Sequence, residues 1–203
     1  MNVEPRSAMV KADPILIDLP MVIETPRLRL RPPQPGDGAA LHPALVETLA
    51  ELRQFLGGLP WVAQEQSPES AETWCRKAHA NFLTRADLPF LLFDKATDEI
   101  VGATGLHRTV WTTPKTEVGY WVRTSRSGRG YVSEAVNAMC QYAFEHIGAV
   151  RVELLTDEEN IASRRVAERC GFTLEATQRF ERRDQHGSLR NTCRYALCNE
   201  GTT

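Results

Sequence analysis

Between residues 117 and 135 the chain reads Glu117-Val-Gly-Tyr-Trp-Val-Arg-Thr-Ser-Arg-Ser-Gly-Arg-Gly-Tyr-Val-Ser-Glu-Ala135, and no other stretch restricts the possible folds as much. Its β-branched and aromatic start predicts a strand, with Gly119 suggesting a bulge, and the glycines and serines that follow predict a loop. The apolar stripe Val132, Ala135, Val136, Met139, Ala143 and Ile147, closed by Gly148, then predicts a helix. A strand that feeds a helix through such a loop builds an anion site. Gly128 and Gly130 let the backbone approach a ligand closely, and the helix-start N–H groups and the helix dipole face the same point. The loop lacks the Gly-Lys-Ser/Thr of a P-loop, and its Gly-x-Gly is not completed to the dinucleotide fingerprint. Arg123, Arg126 and Arg129 place three cations here in a chain of net charge -2. A polyphosphate-bearing ligand fits that local cluster, whereas nucleic-acid binding by bulk charge does not.

The remaining elements arrange themselves around this segment. Residues 1–21 hold little periodicity and read as a leader, flexible or docked, ahead of one domain over 22–200. Residues 27–31 alternate charged and apolar positions as a half-buried strand does. A helix capped by Asp37 follows, with Leu41, Leu45, Leu49, Leu52 and Leu56 on its buried stripe and Gly57-Gly58 at its end. Ser67-Pro68 starts a second helix. Residues 89–93 and 99–104 form a hairpin, 116–123 a further strand, and 150–156 another. Asn160 caps a short helix, and residues 172–181 and 189–197 close the chain as a hairpin. This order predicts a single α/β domain (α+β mixed), with a central mixed, largely antiparallel sheet and helices on both faces. The 203 residues suffice for one such core. The five scattered cysteines show no zinc spacing and suit a reducing, cytoplasmic setting, and no apolar run is long enough for a membrane span.

Asn160-Ile-Ala-Ser163, followed by Cys170-Gly171-Phe172, places an amide and a hydroxyl three residues apart on one helix face. By itself this reads as a cap and a first-turn serine. Taken with the glycine loop, with Glu24-Thr25-Pro26-Arg27-Leu28 and with Leu59-Pro60-Trp61, it resembles the GNAT acyltransferase superfamily, and within it the RimJ/RimL-type N-acetyltransferases. The resemblance spans residues 23–197 and rests on the combination of motifs in this order. It implies acetyl-CoA as the acyl donor and no metal. The backbone of Trp121, Val122 and Arg123 would pair with the pantetheine arm. Arg126, Ser127, Gly128, Arg129, Gly130, Tyr131 and Ser133 would hold the pyrophosphate, and Asn160 and Ser163 would face the arm. The family's loop usually opens with Gln or Arg, where this chain has Ser125 and an arginine one place later.

Direct transfer from a thioester to an amine needs a neutral amine, an oxyanion site and a proton for the departing thiolate. By its place in the motif, Ser163 resembles the residue that protonates the thiolate in RimL-like enzymes. Glu181 and Glu117 are the candidate bases, while each read alone is a solvated carboxylate. His107 reads as a surface or satisfied core histidine, and the tryptophans read as core, with Trp61 also a candidate for the acceptor pocket. Arg179, Arg182 and Arg183 hint at a basic groove for an acidic acceptor. The leading expectation is an N-acetyltransferase acting on a primary amine, a protein N-terminus or a small molecule, as a monomer or homodimer without nucleic-acid or membrane partners. The alternatives are a non-catalytic acyl-CoA sensor, transfer of a different acyl group, and nucleotide binding, which the missing P-loop lysine disfavours.

Overall fold

The computed structural model describes residues 13–199 and 201; the first part of the expected leader, residues 1–12, lies outside them, as does residue 200. Eight strands form one sheet: β1 (Ile23–Glu24), β2 (Leu28–Arg31), β3 (Leu88–Asp94), β4 (Ile100–Val110), β5 (Lys115–Val122), β6 (Arg151–Asp157), β7 (Thr173–Arg183) and β8 (Leu189–Cys198). Their order across the sheet is β1-β2-β3-β4-β5-β6-β8-β7. Every neighbouring pair is antiparallel except β5 and β6, which run parallel. The helices are α1 (Gly38–Leu56), α2 (Pro60–Ala63), α3 (Pro68–Thr84), α4 (Tyr131–Tyr142) and α5 (Ile161–Arg169).

Alternation along the central strands divides the core in two. Leu91, Phe93 and Ala103 face Leu41, Leu45 and Leu52 of α1 and Ala71 and Cys75 of α3. Phe90, Leu92, Leu106 and Val118 face Ala135, Val136 and Met139 of α4 and Ala167 of α5. The helices thus lie on both sides of a mixed, largely antiparallel sheet, as the sequence predicts. Ser67 starts α3 through a reciprocal capping box with Ser70. Asp37 starts α1 differently from expectation: its carboxylate is taken by both terminal nitrogens of Arg31 at 2.7 Å rather than by a helix amide.

Five details depart from the sequence reading, the first being that β4 runs on to Val110, and so includes His107, where a strand ending at residue 104 is expected. A two-residue strand, β1, precedes β2, and one turn of helix, α2, forms where only a loop is expected. The α4 helix passes into a wider turn at residues 143–147 before Gly148 ends it at φ 67°. Gly119 makes no bulge, because it sits in regular register opposite Gly105, and the irregularity lies between His107 and Val110 instead. Within the expected leader, Leu19 is buried in the core shared with α4, and the Tyr142 hydroxyl donates to the Pro20 carbonyl at 3.0 Å.

Candidate active site

The parallel joint between β5 and β6 is short. It pairs Lys115 with Arg151, Thr116 with Val152 and Glu117 with Glu153, and goes no further. Beyond it, β5 keeps its partner β4 as far as Gly102 opposite Val122, while β6 keeps β8 as far as Asp157 opposite Thr192. One backbone edge of residues 118–122 is therefore left without a strand, and an extended ligand carrying amides can pair with it. Trp121 and Val122 lie on this stretch, and the Arg123 amide extends its pairing with β4, on the side away from the open edge, by donating to the Val101 carbonyl at 2.8 Å.

The edge runs directly into the glycine loop. Residues Thr124–Arg126 make a single tight turn, after which Gly128 (φ 73°) and Gly130 (φ 81°) take the left-handed conformation that a side chain disfavours. The first intrahelical bond of α4 is Glu134 N–H to Gly130 O, so the amides of Tyr131, Val132 and Ser133 point out of the helix start with no intrahelical acceptor. The cations behave unequally. Arg123 is paired with Glu47 and Arg126 with Glu99, whereas Arg129 is exposed. Glu47 also accepts from the Ser125 amide at 2.7 Å, and Thr48 accepts from the Thr124 amide at 3.2 Å, so α1 fastens the loop from the side. These bonds from Ser125, together with Arg123, lower the Glu47 carboxyl to about 2. Tyr131 is turned inward, with its hydroxyl donating to Asp94 at 2.6 Å, and only its backbone remains for a ligand.

The opposite wall of the cleft is the start of α5. The Asn160 side-chain oxygen caps the helix by accepting from the Ser163 amide at 3.1 Å, which leaves its NH2 group for another acceptor. The Ser163 hydroxyl meets the Tyr120 hydroxyl at 2.8 Å, across the gap between β5 and α5. Burial raises the Tyr120 phenol far above its ordinary value, with the Ser163 bond offsetting only part of that. The phenol thus keeps its proton at neutral pH. Sequence reading missed Tyr120, although its alternation with Trp121 already turned the two side chains to opposite faces.

Trp121 faces the side covered by α1 to α3 and lines an apolar pocket there with Trp61, Trp74, Leu41, Leu45 and Ala71. Glu117 faces the same side, and both its oxygens accept from the Arg108 guanidinium. Next to it, His107 Nδ1 lies 2.8 Å from Asp87, with its ring laid over Gly105 and Gly119. Glu181 is exposed on the far hairpin and accepts from Thr192 at 3.0 Å. The basic groove hinted at by Arg179, Arg182 and Arg183 is largely spent internally. Arg182 pairs with buried Asp157 at 2.5 Å, Arg183 donates to the Gly187 carbonyl, and Arg179 lies over the Phe180 ring. Among the described residues there is no cluster of three or more His, Cys, Asp or Glu placed to hold a metal ion. No described helix is long and apolar enough to cross a membrane.

Comparison with known proteins agrees with this geometry. The family profile described as an acetyltransferase (GNAT) domain matches residues 27–173. YdaF of Bacillus subtilis (strain 168), whose name places it with the ribosomal N-acetyltransferases, is 32% identical over 148 residues, covering 68% of this chain and 78% of its own. The structure of RimL, a ribosomal L7/L12 alpha-N-protein acetyltransferase solved with coenzyme A, superposes with a TM-score of 0.79 at 22% identity, covering 87% of this chain and 97% of that one. The microcin C7 self-immunity acetyltransferase MccE, solved with acetyl-CoA and AMP, gives 0.77 at 18% identity over 86% and 94%.

Proposed function

The chain belongs to the GNAT acetyltransferase family and is an acetyl-CoA-dependent N-acetyltransferase, and from that premise we propose that its acceptor is the α-amine of a protein or peptide and that the cleft between β5 and β6 is where the acetyl group moves. The observation that carries this reading is the unpaired edge of residues 118–122, which leads from the glycine loop to the Tyr120–Ser163 hydroxyl pair. Along it, the backbone of Trp121 to Arg123 pairs with the pantetheine amides, and the NH2 of Asn160 meets the arm from the other wall. The amides that follow Gly128 and Gly130, with exposed Arg129, take the pyrophosphate.

The chain's own groups then divide the proton work. A thiolate leaves far more readily if it is protonated as it departs, the ordinary thiol value being about 8.5. Ser163, bonded to a phenol that stays protonated, supplies that proton and recovers it through Tyr120. Glu117 and Glu181 both lie on the acceptor side, and each would first have to release its present partner, Arg108 or Thr192, to receive a proton from the amine. Trp61, Trp121 and Trp74 form the pocket for the acceptor's first side chain. That pocket has no charged residue in its lining, which favours a small or apolar first residue over an acidic one. The named acceptors of YdaF and RimL support a ribosomal-protein N-terminus as the class to try first.

The test has two stages. Acetyl-CoA at 100 times its dissociation constant should stabilise the fold by about 2.7 kcal/mol, read as a rise in Tm that ATP does not produce. Thiol release is then followed with peptides that begin with serine, alanine or aspartate, and with free amino acids and amino sugars as controls. Turnover of a serine or alanine peptide supports the acceptor class. Turnover only with the small molecules overturns it, and a shift in Tm with no turnover of any amine would make the chain an acyl-CoA sensor.

A further inference from the structure

On the acceptor side of the sheet, His107 and Asp87 form a dyad. Both His107 and its partner are only partly exposed, at 33% and 29% of their side chains, and the Nδ1 distances to the two carboxylate oxygens are 2.8 and 2.9 Å. A carboxylate accepts only, so Nδ1 carries the hydrogen and the lone pair of the neutral ring is left on Nε2. No described residue bonds to Nε2. The ring does not stand up from the sheet but lies along it, over two facing glycines. A Cβ on Gly119 would come within 3.1 Å of Nε2, and one on Gly105 within 3.0 Å. These two positions are glycine in adjacent strands, paired with each other, and together they clear a lane just wide enough for the imidazole.

The lane has a direction. His107 is paired with Glu117, the next pair on that face is Gly105 with Gly119, and the next is Ala103 with Trp121, which floors the tryptophan pocket. Nε2 therefore faces from the closed end of the β5–β6 joint toward the pocket, beside the edge of residues 118–122. We propose that His107, oriented by Asp87, is the general base that takes the proton from the acceptor ammonium, an inference that rests on the functional reading above. His107 Nε2 takes one proton from the ammonium, and the freed nitrogen lone pair forms the bond to the thioester carbonyl carbon. Collapse of the adduct breaks the C–S bond, and Ser163 protonates the thiolate. The extra proton on the new amide nitrogen restores the Tyr120–Ser163 pair, and the imidazolium releases its own proton to solvent at its exposed edge. Glu117, whose two oxygens are already occupied by Arg108, serves in this scheme as a fixed neighbour of the base.

The charged groups around the ring are Asp87 before β3, Arg108 on β4, Glu117 on β5 and Glu153 across the joint on β6. His107→Gln should lower kcat/KM for acetyl transfer to a peptide with an N-terminal serine about 100-fold at pH 7, remove the limb of the pH profile that it governs, and leave the acetyl-CoA-induced rise in Tm unchanged. Added imidazole should restore part of the rate. Gly119→Ala, whose Cβ meets only the His107 ring, should tilt the imidazole and cost about tenfold in kcat/KM. Long-range 1H–15N spectra of the protein alone at pH 8 should show the Nδ1–H tautomer for His107. A His107→Gln enzyme within threefold of wild type with an unchanged pH profile overturns the proposal, and so does an Nε2–H tautomer. If the wild type binds acetyl-CoA but acetylates no peptide, the acceptor reading falls, and the tautomer alone then decides whether His107 is poised as a base.

Discussion

Ser163 and Tyr120 stand 43 positions apart in the chain and 2.8 Å apart in space, and the difference between those separations explains what a sequence can and cannot disclose about this site. Asn160 with Ser163, and Gly128 with Gly130, are local patterns, readable because a helix cap and a left-handed loop impose their own residue types at fixed spacing. Tyr120, Asp87 and Glu47 take on meaning only when sheet order and register bring them to Ser163, His107 and the Ser125 amide. No local periodicity encodes that. The same distinction governs substitutions. Ser163→Ala should reduce kcat by about tenfold to a hundredfold with a smaller change in acetyl-CoA affinity, because in the proposed mechanism its main part is that of a proton donor. Tyr120→Phe should act in the same direction and add little to Ser163→Ala when combined, since the two act as one relay in the proposed transfer. Steady-state kinetics on the double mutant checks that non-additivity.

At the level of elements, the donor loop is held by a helix from the other side of the sheet. Most helices and strands are visible in the sequence as periodicity: α1, α3, α4 and α5, and the strands around them, come out near their observed bounds, except that β4 runs on to Val110 rather than ending at residue 104. The single turn of α2 is too short for a 3.6-residue repeat to show, and the expected bulge at Gly119 fails because that glycine makes room for a ring on the neighbouring strand. The three cations of the loop are legible too, but not that Glu47 and Glu99 neutralise two of them. Glu47→Gln should therefore weaken acetyl-CoA binding by about tenfold, although it adds positive charge near an anion site, because Ser125 loses its acceptor and the loop its anchor. The Glu47 carboxyl lies below its ordinary value of 4.5, at about 2. Its hold on the loop is present in full above that ordinary value and is lost as pH falls from there toward the lower one. Gly130→Ala, forcing a side chain to φ 81°, should cost about 1 kcal/mol of stability and raise the acetyl-CoA dissociation constant. Calorimetric titration at pH 7 measures both effects on affinity.

In the whole molecule, the far hairpin is tied to the body by the pairing of β8 with β6 and, at the end of that ladder, by one buried carboxylate. Asp157 is 3% exposed and meets both Arg182 and Arg190. Burial would raise its carboxyl, but the bond from Arg190, the Glu159 amide and the charge of Arg182 outweigh that and hold it below its ordinary value. A carboxyl lowered in the folded state stabilises above the unfolded value and stops doing so as pH drops through the folded one. Melting in the acid range should thus begin below about pH 4 at the β7–β8 hairpin, visible as early loss of amide protection there. Asp157→Asn should cost about 3 kcal/mol at neutral pH, because Arg182 loses its carboxylate partner and Arg190 keeps only the exposed Glu159. A further consequence comes from the three-pair joint between β5 and β6. Strands β3 to β5 are a meander with near-neighbour connections, while the joint brings together residues 36 positions apart, as in Lys115 with Arg151, and β2 reaches β3 only across the longer span from Arg31 to Leu91. Closing such long loops repays little until the helices between them have docked, so refolding from denaturant should assemble the β3–β5 meander first and zip the joint later. The same seam that leaves a backbone edge open for a ligand is then a late part of the native sheet to form, and a cofactor lying across it would speed a late step of folding as well as take part in the chemistry.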